Sequence, residues 1–195
     1  MPKKAIVLLA EGFEEVEAIT PIDYLRRAGI EVSVASISSN MVVKGARDIR
    51  IKTDIILADL SWQTDGYDAV IVPGGMPGST YLAASEEVGV FLKKMADAGK
   101  LICAICAAPA VVLAPLGLLA GKKFTCYPGM EKGAAAQQTT AQQAAASTWL
   151  EDRVVTDGSI ITSRGAGTAG EFAIAIINKL IDEAAGKKIA DAVLL

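Results

Sequence analysis

The chain has 195 residues, 52% hydrophobic but only 5% aromatic, and its 19 basic and 22 acidic side chains give a net charge of −3. With no basic cluster larger than Lys122-Lys123 or Lys187-Lys188, neither nucleic acid nor an anionic membrane is an expected partner. The absence of histidine excludes Ser–His and Cys–His catalytic pairs and nearly all zinc sites of ordinary spacing, and neither a metal nor another cofactor is expected.

Ala5-Ile6-Val7-Leu8-Leu9 is a continuous apolar run, the pattern of a strand buried on both faces of a parallel sheet. Six apolar residues, Ala5 to Ala10, stand before Glu11, too few for a signal-peptide core, and no run reaches the ~18 residues of a membrane span. The three cysteines are too few for a disulfide scaffold, and the cytoplasm is the expected compartment. Glu14 to Ala28 has helical spacing, with Pro21 expected to kink it and Gly29 to stop it. Glu31 to Ile37 reads as a second strand, and Met41 to Leu57 as short strands and turns in an edge hairpin. Asp68 to Val72 is a strand ended by Pro73-Gly74-Gly75, Ser85 to Ala98 a helix, and Lys100 to Ile105 another strand. Cys106 to Leu113 is helical in pattern, Phe124 to Tyr127 and Ser159 to Thr162 are strands, Phe172 to Ala185 is one long helix, and Ile189 to Leu194 a short one. Gly133 to Ser147, made only of Gly, Ala, Gln, Thr and Ser, reads as a surface excursion. The alternation predicts an α/β fold over residues 1–195 as a single domain, a three-layer sandwich with a mostly parallel sheet and helices on both faces.

In such a sheet, ligands bind beyond the carboxyl ends of the strands. The polar residues that follow strands directly are Glu11 to Glu17, Gly74-Gly75, Cys106, Tyr127 and Ser163-Arg164-Gly165. Cys106 sits between a strand and Ala107-Ala108-Pro109, where the N–H groups of a helix start favour a thiolate. The position resembles a nucleophile elbow, although a free cysteine also serves as a small core residue. Glu17, in the first turn of its helix, is either a solvated carboxylate or a partly desolvated acid that donates a hydrogen bond to the thiolate. Glu14 and Glu15 read as helix-dipole and solubility charges. Cys103-x-x-Cys106 is no redox pair if Cys103 lies in the strand, because three extended residues span roughly 10 Å. Cys103 and Cys126 are expected in the core. Gly165 to Gly170 matches G-x-G-x-x-G, but no strand follows the next helix as a dinucleotide fold requires.

Gly12-Phe13-Glu14-Glu15-Val16-Glu17, Arg47-Asp48, Val72-Pro73-Gly74-Gly75, Ala104-Ile105-Cys106-Ala107-Ala108-Pro109 and Thr162 to Thr168 together resemble the ThiJ/PfpI superfamily, in its deglycase branch. The resemblance covers nearly the whole chain and implies a glutamine-amidotransferase-like, flavodoxin-like fold. It implies that Cys106 is the nucleophilic, oxidation-prone thiol and that Glu17 is the carboxyl group bonded to it. The N–H groups of Gly75 and Ala107 would form an oxyanion-type pocket. Gly74, Tyr127 and Arg47 would line the substrate site, with Arg47 also near the interface of a homodimer. Many members carry histidine where this chain has Ala107 or Tyr127, and a tyrosine hydroxyl is a poor base at neutral pH. The residues around 133–147 also lack the family's usual character, and Ala166 stands where proline is common.

Two functions are expected to compete. One is a glyoxalase or deglycase acting on small reactive carbonyls, with Cys106 attacking the aldehyde and Glu17 moving the proton. The other is an oxidative-stress sensor whose partner is an oxidant that converts Cys106 to a sulfinate. A peptidase or amidase would share the nucleophile but has no histidine to protonate the leaving amine.

Overall fold

The structure is a computed structural model and describes residues 1–60, 66–136 and 146–195. In chain order the strands are β1 (Lys4–Leu9), β2 (Glu31–Ser36), β3 (Val42–Lys44), β4 (Arg50–Lys52), β5 (Ile55–Ile56), β6 (Ala69–Val72), β7 (Leu101–Ile105), β8 (Lys123–Phe124), β9 (Thr148–Trp149), β10 (Val154–Asp157) and β11 (Ile160–Ser163). The helices are α1 (Glu15–Arg27), α2 (Gly78–Ala84), α3 (Glu86–Asp97), α4 (Glu131–Ala136), α5 (Ala169–Leu180) and α6 (Glu183–Val193).

One seven-stranded sheet runs β10-β11-β7-β6-β1-β2-β5, parallel throughout except for β10 against β11. Successive strand residues point to opposite faces. Ile6 and Leu8 of β1 therefore pack into one core with Val70, Val72 and Ile102, while Ala5, Val7 and Leu9 enter another with Ile71, Cys103 and Ile105. The first core is closed by α3, whose Val88, Phe91, Leu92 and Met95 recur at helical spacing behind the Ser85 cap. The second is closed by α1 and α5 through Leu25, Phe172, Ile176 and Ile177. Complete burial of a side chain such as Phe91 or Phe172 contributes about 1.5–3 kcal/mol. The result is the expected three-layer, flavodoxin-like α/β sandwich. Among the described residues, no helix is long and apolar enough to cross a membrane.

Several expected elements differ. The residues Phe124 to Tyr127 do not form a strand of the main sheet. Only Lys123–Phe124 is extended, paired with β9, while Thr125 N–H is bonded to Thr162 Oγ1 at 2.9 Å. The long helix expected from Phe172 to Ala185 is two helices. Asp182 breaks the period and caps α6, its carboxylate accepting Ala185 N–H at 2.8 Å. The stretch after β7 does not begin as a helix at Cys106. Its main turn, Pro109–Leu113, is wider than an α-helix, with Ala114 N–H bonded to Pro109 O at 3.0 Å. The Met41 to Leu57 hairpin is β3 against β4, a separate two-stranded sheet, while β5 forms the edge of the main one. Helix α1 runs on through Pro21. Of the Gly133 to Ser147 segment, residues 137–145 lie outside the described residues, and α4 covers its start.

The strand order places the site. From β1 the chain moves outward to β2 and β5, then returns to β6 on the other side of β1 and continues to β7 and β11. This reversal opens a crevice at the carboxyl ends of β1 and β6, the position where open α/β sheets bind ligands.

Candidate active site

Three loops at that crevice supply the groups. Glu17 stands on the first turn of α1, after β1, and is 1% exposed. Gly74 and Gly75 follow β6, and Cys106 follows β7. Gly74 N–H donates to Glu17 Oε2 at 2.9 Å, fixing the carboxyl group. A Cβ on Gly74 would lie 2.6 Å from that oxygen and 2.7 Å from Cys106 Cβ, so only glycine lets backbone, acid and thiol meet. Gly75 has φ +92°, and a Cβ there would come within 2.6 Å of Gly12 O. The two loops also join through Glu14 N–H to Gly74 O at 3.0 Å.

Cys106 itself has φ +63°. A non-glycine residue in the left-handed region costs about 1–2 kcal/mol. Hydrogen bonds hold both of its main-chain groups: Cys106 N–H to Ser163 O at 2.9 Å, and Tyr127 N–H to Cys106 O at 2.8 Å. The small side chains of Ala104, Ala107 and Ala108, each 3% exposed or less, leave room for the turn. The sharp bend turns the thiol out of the sheet into a half-buried position, hydrogen-bonded to Glu17 and to the N–H groups of Ala107 and Gly75.

Burial pushes the Glu17 carboxyl up to about 7 against the opposing bonds from Cys106 and Gly74, with the charge of Glu14 adding to the rise. Burial likewise pushes the Cys106 thiol up to about 12, helped by the Glu17 carboxylate and opposed by the two N–H groups. The thiolate expected from a helix start is therefore not the resting form beside a charged Glu17. The two N–H groups act in the expected direction, but desolvation and the neighbouring anion outweigh them. A protonated Glu17 would instead donate to the sulfur and favour its anion. Between about pH 7 and about pH 12 the pair thus holds a single proton, whose position decides which group carries the charge.

A cavity of about 700 Å³ opens over this pair, and Glu17, Gly75, Cys106, Ala107, Arg47 and Tyr127 all line it. Gly74 lies beneath, in contact with the acid and the thiol. The Arg47 side chain is exposed, its Nη1 bonded to Ala46 O at 3.2 Å, and Tyr127 is 53% exposed. Cys103 is fully buried on β7 and Cys126 is buried in the opposite core, so both pack as expected. Glu15 is not a solubility charge: it is 5% exposed, and its Oε1 accepts Arg47 N–H at 2.6 Å, tying the β3–β4 hairpin to α1. Its partner is a main-chain group 32 residues away, which no local pattern announces. Among the described residues, no group of three or more His, Cys, Asp or Glu is placed to hold a metal ion.

A parallel α/β sandwich with a cysteine on a left-handed elbow, facing a buried acid across a glycine loop, defines a cysteine-centred protein of the glutamine-amidotransferase-like class. The profile of the DJ-1/PfpI family matches residues 3–179, and the chain belongs to that family. It is 43% identical over 189 residues to the protein dj-1beta of Drosophila melanogaster, covering 96% of this chain and 92% of that one. It is 38% identical over 179 residues to the glutathione-independent glyoxalase DJR-1.2 of Caenorhabditis elegans, covering 91% and 89%. The solved structure of oxidized Toxoplasma gondii DJ-1 superposes with a TM-score of 0.88 at 38% identity, covering 98% of each chain.

Proposed function

We propose that this protein is a cofactor-independent, Cys106-dependent enzyme acting on small reactive carbonyls, of glyoxalase or deglycase type. The observation that carries the reading is Glu17, a buried carboxyl poised at about 7 and hydrogen-bonded to the thiol. A group that titrates near neutrality can both take and return a proton, as the reaction demands. In the proposed course with methylglyoxal, sulfur bonds to the aldehyde carbon while its proton passes by way of Glu17 to the former carbonyl oxygen, giving a hemithioacetal and leaving Glu17 ionised. Glu17 then moves the proton of that carbon to the neighbouring ketone carbon while the hydroxyl proton passes to the ketone oxygen, giving a lactoyl thioester. Water adds to the thioester carbon to release lactate and restore the thiol. The N–H groups of Gly75 and Ala107 line the same cavity and suit an oxyanion. The resemblance to a relative named as a glutathione-independent glyoxalase supports the same chemistry. Glu17→Gln should lower kcat at least about 100-fold, the usual scale of a lost general base. An unchanged kcat would refute the proton-transfer role.

A second reading rests on the same sulfur. Peroxide would oxidise Cys106 to the sulfenic and then the sulfinic acid, with protonated Glu17 and the two N–H groups hydrogen-bonding the new oxygens. In this reading the protein senses or absorbs oxidant and has no dedicated substrate. Equal oxidation of all three cysteines by peroxide would refute it.

The protein is further proposed to act in the cytoplasm as a homodimer. Val16 and Ile19 on α1 are 48% and 42% exposed, and Ile49, in the turn of the β3–β4 hairpin that Glu15 ties to α1, is 54% exposed. Apolar groups of this size on adjoining elements suit an interface between copies.

A further inference from the structure

Beside the Cys106 cavity lies a second cleft of about 420 Å³, lined by Arg153, Arg164 and the Gly165–Thr168 loop. The two cavities share Tyr127, Pro128 and Ala166. A Cβ on Gly165 would stand 3.6 Å from Tyr127 Cδ2 and 3.9 Å from both Cys106 Sγ and Glu17 Oε1. The floor of the cleft therefore reaches the thiol and the acid with no side chain of Gly165 between them. Thr168 Oγ1 fixes this floor, bonding Ser163 Oγ at 2.6 Å and Gly165 O at 2.8 Å.

The two arginines of the cleft differ. Arg153 is spent on its own chain, with Nε on Glu171 Oε1 at 2.8 Å and Nη2 on Gly167 O at 2.8 Å. Arg164 is half-buried, and its Nη1 donates to the main-chain oxygen of Glu151 at 2.7 Å. Among the described residues, no carboxylate pairs with it. A guanidinium fork without a counter-ion, at the wall of a cleft, is a receptor for carboxylate or phosphate oxygens. The net charge of −3 would by itself repel anions, so any preference for them is local.

We infer that this cleft is an anion subsite in which Arg164 receives the carboxylate or phosphate of a substrate whose electrophilic carbon meets Cys106. The inference rests on the reading of Cys106 as the nucleophile and deepens it. The favoured substrates are carbonyl compounds that carry a terminal anionic group, rather than neutral aldehydes.

The test compares alkylation of Cys106 by 3-maleimidopropionate and by N-propylmaleimide, which are close in size and differ in charge. In both reactions sulfur adds to the maleimide double bond and the adjacent carbon takes the proton. At low salt the wild type should react about fivefold faster with the anionic probe, the scale of a half-exposed charge pair. The ratio should fall to about one in Arg164→Gln, be partly kept in Arg164→Lys, and shrink at high salt. Inorganic phosphate and acetate, added separately, distinguish the two anion chemistries by which of them suppresses the ratio at the lower concentration. Because both rates are read in one protein, a general change in thiol reactivity cancels. A wild-type ratio near one, a ratio indifferent to salt, or a ratio lost in Arg47→Gln but kept in Arg164→Gln overturns the subsite. Failure of both probes to alkylate Cys106 overturns the nucleophile reading with it.

Discussion

Replacing Glu17 with glutamine should change how stability depends on pH, and the size of the change follows from the site. The folded protein raises this carboxyl from 4.5 to about 7 by burying it. Between those values the folded state holds the proton more tightly than the unfolded chain does, so stability falls as pH rises through the window. The contribution is fully present below about pH 4.5 and gone above about pH 7. At about 1.4 kcal/mol per pH unit, the loss is about 3 kcal/mol, and Glu17 is 1% exposed, so water screens little of it. Asp68 and Asp157, held below the usual carboxylate range, work in the opposite direction, but their contribution is already complete above about pH 4. The assay is urea unfolding of the wild type and of Glu17→Gln at steps from pH 4.5 to 8. The difference, wild type minus variant, should decline by about 3 kcal/mol. A difference flat to about 0.5 kcal/mol, within the scatter of such extrapolations, would refute a Glu17 whose burial outweighs the bonds it receives.

Gly74→Ala should cost about 1–3 kcal/mol in chemical denaturation and abolish activity, because its Cβ would intrude on both Glu17 and Cys106; normal stability would contradict this close approach of the two loops. A thiol reagent should modify one cysteine per folded chain and three per unfolded chain, since Cys103 and Cys126 are buried; three fast thiols in the folded protein would contradict that packing. Asp182→Ala should cost about 1 kcal/mol through loss of the α6 cap, with the thermal midpoint as readout and an unchanged midpoint as the contrary result. Ile19→Lys should shift the sedimentation coefficient from dimer to monomer, and a coefficient unchanged from wild type would move the interface elsewhere.

What the sequence made legible was the part written in local periodicity and punctuation. The apolar runs at Ala5 to Leu9 and Asp68 to Val72 gave the parallel sheet, and the residues following each strand led to Glu17, Gly74-Gly75 and Cys106. Breaks that depend on a single side chain were harder to see: Asp182 caps a new helix inside what read as one amphipathic run. Partnerships across the fold left no local trace. Glu15 looked like surface charge because its partner, Arg47 N–H, is distant in sequence. Only part of what sets the acidity of Cys106 is local. The turn that favours a thiolate is visible in the sequence, whereas the depth of burial and the charge of Glu17 that oppose it arise only on folding.

The proposed role of Cys106 is that of a nucleophile toward carbonyls with no cofactor. It is tested most directly by measuring lactate formed from methylglyoxal by the wild type and by Cys106→Ser under identical conditions. Steady lactate production that disappears in the variant is the predicted result. No lactate from folded wild type, or equal production by the variant, would contradict it.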